Sequence, residues 1–266
     1  MSLRFLMPLL AACCLSATRL FAHEFWIEPV EFQVESGAPL VADFRNGQNF
    51  RGATLAYFEK QSARFDLIQG GKVSPVRPRL GDIPALQATA GADGLLVIVH
   101  QTMPSTLNYA KWEKFQAFAD HKDFPDIRAR HLARGLPESG FTESYTRHAK
   151  ALVAVGHGRG QDVATGMETE FVARANPYTD NLTDGLPVQL LYQGRPRADA
   201  QVEVFQRDPA GVVTIRLLRT DARGQVRVPV LSGHAYLLDA VVLREMPTDS
   251  PEVWQSLWAA LSFAVP

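Results

Sequence analysis

The chain has 266 residues, 46% of them hydrophobic and 21% charged, with a formal net charge of −1. That length allows two modest domains with real cores, and the near-neutral balance gives no electrostatic basis for binding nucleic acid or an anionic lipid surface. Both cysteines, Cys13 and Cys14, lie near the N-terminus, so the remaining chain has no thiol for a disulfide, an iron–sulfur cluster or a thiolate zinc site.

Arg4, an apolar run over residues 5–15 and the small-residue stop Leu20-Phe21-Ala22 describe a Sec signal peptide over residues 1–22. Cleavage after Ala22 would send a mature chain beginning at His23 to the periplasm. Leu10-Ala11-Ala12-Cys13 also matches a lipobox, so the alternative is a lipoprotein anchored through Cys13. No later apolar stretch reaches transmembrane length.

From residue 25 to residue 100 the chain reads as short strands between turns: 25–27, 40–44, 54–58, 64–68, and a fully buried run over 94–100. Asn46-Gly47, Gly70-Gly71 and Ala92-Asp93-Gly94 supply the turns. After Pro104 the chain becomes charged and aromatic. Trp112, Phe115 and Phe118, at i, i+3 and i+6, mark one face of a helix, and a second helix is expected over 126–134. Residues 143–155 form an amphipathic or extended stretch through Tyr145, Ala149 and Leu152. These features make about 105–150 a helical insertion on a first β-sandwich spanning 23–160. A Gly-rich stretch over 156–166 marks the boundary. From residue 168 the alternating pattern returns, with strands at 187–192, 200–205, 212–219 and 226–230, then 233–240 and 254–265. The expectation is a mainly β chain of two immunoglobulin-like or transthyretin-like sandwiches, the second over 168–266.

Several blocks in this order resemble the DUF4198 family: Ala22-His23-Glu24-Phe25-Trp26 behind the leader, Glu143-Ser144-Tyr145-Thr146-Arg147-His148, Asn176-Pro177-Tyr178, Gly194-Arg195-Pro196, Thr220-Asp221-Ala222-Arg223-Gly224, and Trp254 to Phe263. The resemblance implies a secreted bacterial protein similar to the extracytoplasmic part of nickel and cobalt uptake systems. A membrane metal permease or another cell-envelope protein is the implied partner.

An N-terminal histidine offers its amine and imidazole together, so His23 is the leading metal ligand, with nickel, cobalt or copper as the ions its chemistry suits. His100, ending the buried run, is the second predicted ligand; its alternative is a hydrogen-bonded histidine at the core edge. Glu24 could add a carboxylate. Glu143 and Arg147, four apart, read as a helical ion pair, the alternative being that the carboxylate supports a metal-ligating histidine. His121, His131 and His157 read as surface residues. The sequence has no phosphate loop, no nucleophile elbow and no HExxH helix, so hydrolase and nucleotide-dependent chemistry lack support. Three readings stand: a periplasmic metal-binding or metal-delivery accessory, a non-enzymatic sandwich module binding a protein or glycan, and a histidine-brace copper protein.

Overall fold

The structure is a computed structural model that describes residues 23–266; the predicted leader and Cys13 lie outside the described residues. The described chain is mainly β, with two short α-helices, α1 (Trp112–His121) and α2 (Ile127–Ala133). No helix among the described residues is long and apolar enough to cross a membrane.

A ten-stranded sheet forms the middle layer. Its main path runs Val213–Arg219, Gln201–Arg207, His234–Glu245, Trp254–Val265, Phe141–Val155, Gly94–Thr102, Ser62–Gln69 and Lys72–Pro75. A four-stranded sheet built on Glu24–Pro29 and Pro39–Gln48 shares one core with it, and a second four-stranded sheet built on Thr169–Ala173 and Leu186–Tyr192 shares the other. Side chains on a strand alternate between faces. Leu95, Val97 and Val99 therefore enter the core shared with the C-terminal sheet, and Leu96 and Ile98 the core shared with the N-terminal sheet. Burial on both faces is why this run is apolar without alternation.

The two sandwiches thus share one layer, and that layer crosses the boundary read at 156–166. The loop after Phe141–Val155 is tied to the sheet by Lys150, whose fully buried Nζ donates to Asp162 Oδ1 (2.7 Å) and to the Phe171 carbonyl (2.9 Å).

The helical insertion is smaller than expected. Only α1 and α2 are helical; Ser105–Tyr109 and Phe141–Val155 are strands, paired with each other in antiparallel register. Phe141–Val155 also runs parallel to Trp254–Val265, with Arg147 opposite Trp258. The helical ion pair read between Glu143 and Arg147 is corrected accordingly: both are buried on a strand, and Glu143 hydrogen-bonds Tyr109 and Ser256 instead. The two helices roof a third cluster in which Phe115 and Phe118 of α1 pack against Trp254 and Trp258.

Candidate functional site

Alternation along four adjacent strands brings charged residues to one face of the middle layer. Glu203, Asp239, Trp258 and Arg147 all point away from the C-terminal core, whose side of the same strands carries Val204, Leu238, Ala259 and Leu152. Glu203 and Asp239 lie directly opposite each other on neighbouring strands. Like charges in that position repel.

Lys122 answers them. It follows the last residue of α1, where the helix dipole favours a cation. Its buried Nζ lies 2.9 Å from Asp239 Oδ2, 3.3 Å from Glu24 Oε1, and in close contact with Glu203 Oε2. It also sits 4.8 Å from the centre of the Trp258 ring. Burial works against the ammonium, but the Asp239, Glu203 and Glu24 carboxylates outweigh it and hold Lys122 charged.

Among the described residues, Lys122 is the one ammonium in direct contact with all three carboxylates, and Arg147 adds charge only from farther away. Burial pushes the Glu24 carboxyl up to about 7 and raises that of Asp239, with Lys122 opposing both shifts. Glu203 behaves differently: burial raises it, yet the hydrogen bond from His121 and the charge of Lys122 hold it below the usual range. His121 Nε2 lies 2.8 Å from Glu203 Oε1, on the opposite carboxylate oxygen from Lys122. Glu24, His121 and Glu203 each offer one donor atom, and the three atoms lie within 4.8 Å of one another. Two ligands bound to one ion at about 2.1 Å each lie roughly 3 Å apart, close to the His121–Glu203 separation. The imidazole is 40% exposed, so the donor set opens to solvent at His121.

The predicted ligands sit around this cluster and not within it. His23 is exposed and lines a cavity of about 310 Å³ together with Tyr109, Lys114, Phe118, Arg147 and Trp258. His100 lines an adjoining cavity of about 220 Å³ and is 2% exposed, among the rings of Phe25, Phe44 and Phe65. Its Nε2 is 2.9 Å from Ser62 Oγ, while Nδ1 has no hydrogen-bond partner. Burial pushes His100 down to about 3, so it is neutral. Glu24, read as an added carboxylate, does belong to the cluster.

His121 and Lys122 were missed because a polar, Lys-rich helix end looks like a solvated surface. A usable signal lay elsewhere: Asp239 stands inside Leu237-Leu238-Asp239-Ala240-Val241, and a carboxylate in an apolar run requires a partner. His131, read as a surface residue, is fully buried between Trp112, Phe141 and Trp254, with Nδ1 accepting from Trp254 Nε1 at 3.0 Å. His157 is exposed beside Asp93, as read.

A family model described as "Domain of unknown function (DUF4198)" matches residues 20–244. No curated protein matches the chain. A solved structure described as "Crystal structure of tetra-tandem repeat in extending region of large adhesion protein" is similar at 12% identity and a TM-score of 0.23. The alignment covers 92% of this chain and 50% of that one, so the chain spans half the length of that structure.

Proposed function

We propose that this chain, which belongs to the DUF4198 family, is an exported accessory protein that binds one divalent metal ion through Glu24, His121 and Glu203. Delivery of nickel or cobalt to a membrane permease is the role this reading assigns to it. The observation that carries the reading is the division of labour around Glu203: Lys122 holds one carboxylate oxygen from inside, and His121 approaches the other from the solvent side. Three carboxylates share one ammonium in direct contact, with Arg147 adding only longer-range charge, and a divalent ion beside Glu203 Oε1 supplies what is missing. One imidazole and two carboxylates suit a borderline divalent ion. Leader cleavage after Ala22 would place a free amine on His23, adjacent in the chain to Glu24, and so offer further nitrogen donors.

Titration calorimetry with Ni²⁺, Co²⁺ and Cu²⁺ tests this on the processed chain, on His121→Ala and on a chain carrying one extra residue before His23. Loss of a ligand is expected to weaken binding by at least about tenfold. Equal affinity of His121→Ala and the unchanged protein overturns the assignment. Weaker binding by the extended chain adds the His23 terminus to the ligand set; equal binding removes it.

A second reading, a sandwich module that binds a protein, has one observation in its favour. Val213–Arg219 ends the path of the ten-stranded sheet with Ile215 and Leu217 43% and 60% exposed, and an unpaired strand edge is a template for another strand.

A further inference from the structure

Arg147 is buried with no carboxylate in direct ion-pair contact among the described residues. It is 9% exposed, and its Nη1 is buried with no hydrogen-bond partner. Burial works against its charge, while Asp239, Glu143 and Glu24 favour it from beyond ion-pair distance. Both Glu143 oxygens accept from hydroxyl groups, those of Tyr109 and Ser256, and Glu24, Glu203 and Asp239 surround Lys122. Aromatic rings flank the guanidinium: its Cζ lies 3.9 Å from the centre of the Trp258 ring and 5.2 Å from that of Tyr145. Stacking on ring faces leaves the edge of the group, with its fork of N–H donors, as the part still to be satisfied. No carboxylate among the described residues meets the fork directly, so an anion from outside would complete its bonding.

The shape of the space selects the anion. Arg147, Tyr145 and Asn46 line both adjoining cavities. The smaller, of about 220 Å³, adds apolar walls from Phe25, Phe44, Leu55 and Phe58 and neutral hydrogen-bonding groups from Ser62 and His100. His100 also brings the second polar atom without a partner, Nδ1. Arg147 is the one charged residue lining that cavity, which disfavours a dianion such as a phosphate monoester. A bidentate carboxylate matches the guanidinium edge, and an apolar body matches the walls.

We infer that the cavity between Arg147 and His100 is a binding site for a small organic monocarboxylate with an aromatic or branched aliphatic body. Arg147 pairs with the carboxylate and the phenylalanine rings enclose the rest. The site is separate from the donor set of Glu24, His121 and Glu203 and does not depend on the metal reading.

The test titrates the processed, chelator-treated protein with benzoate and with benzamide, its neutral counterpart of similar size. Tryptophan fluorescence is the readout, since Trp258 stacks on Arg147. Saturable binding of benzoate at least about tenfold tighter than that of benzamide is expected, the difference one charge-assisted pair carries. Arg147→Met, which keeps the stem, should abolish the preference. If that variant fails to fold by circular dichroism, Arg147→Lys decides, because an ammonium cannot reproduce the bidentate fork and should bind benzoate about tenfold more weakly. No saturable benzoate binding, equal binding of benzamide, or an unchanged affinity in a folded Arg147 variant overturns the inference.

Discussion

Glu203 and Asp239 face each other directly across two antiparallel strands, both out of solvent, and Lys122 reaches both from the end of α1. The sheet register creates the repulsion and the helix end relieves it. The fold and the acidic cluster therefore depend on one another.

Lys122→Met should destabilise the protein by about 3–5 kcal/mol at pH 8, the usual cost of removing one member of a buried charged group. Without the ammonium, the folded carboxyls titrate above their unfolded values. The added cost is then present above those raised values and disappears as pH falls below the unfolded ones. Urea unfolding at pH 8 and pH 5 should show a smaller loss at pH 5; equal losses would contradict the assignment.

Glu24→Gln should have opposite effects on stability and on metal affinity. Burial raises the folded Glu24 carboxyl to about 7, against an ordinary value of 4.5, so its ionisation opposes folding increasingly between those two pH values. The amide removes that cost. Relative to the unchanged protein, the variant should gain stability at pH 8 and little at pH 4.5, while its affinity for Ni²⁺ falls. A variant of unaltered affinity would leave Glu24 a structural carboxylate only.

His100 sets a second pH dependence. Its folded value of about 3 lies below the ordinary 6.5, so the unfolded chain takes up a proton that the fold refuses. The contribution is complete above pH 6.5 and falls away between pH 6.5 and about 3, at up to about 1.4 kcal/mol per pH unit. His100→Gln should flatten the decline in stability across that window. Parallel curves for the two proteins would show that His100 accepts a proton in the folded state.

The sandwich strands were legible because alternation and turn chemistry reported them directly. Val226 and Val228 are both buried in the core, and the run over 94–100 is buried on both faces. Residues 143–155 stayed ambiguous for a geometric reason. An interval of four places Glu143 with Arg147, or Tyr145 with Ala149, on one side of a helix and equally on one face of a strand. The candidate site was read from the sequence only at Glu24, although Asp239 in its apolar run also carried a signal. The site's other members stand at positions 121, 122, 203 and 239: strand register sets Glu203 opposite Asp239, and the packing of the α1 end brings His121 and Lys122 to them, neither of which a local pattern encodes. Two sandwiches sharing one layer were hidden in the same way, because the parallel pairing of Phe141–Val155 with Trp254–Val265 joins residues 111 positions apart, as Glu143 with Trp254.

The most direct measurement is anomalous diffraction at the nickel edge from crystals of the processed protein grown with Ni²⁺. One peak within about 2.3 Å of His121 Nε2 and of a carboxylate oxygen of both Glu24 and Glu203 is the predicted result. A peak at His23 or His100 with none beside His121, or no peak on the protein, would contradict the account.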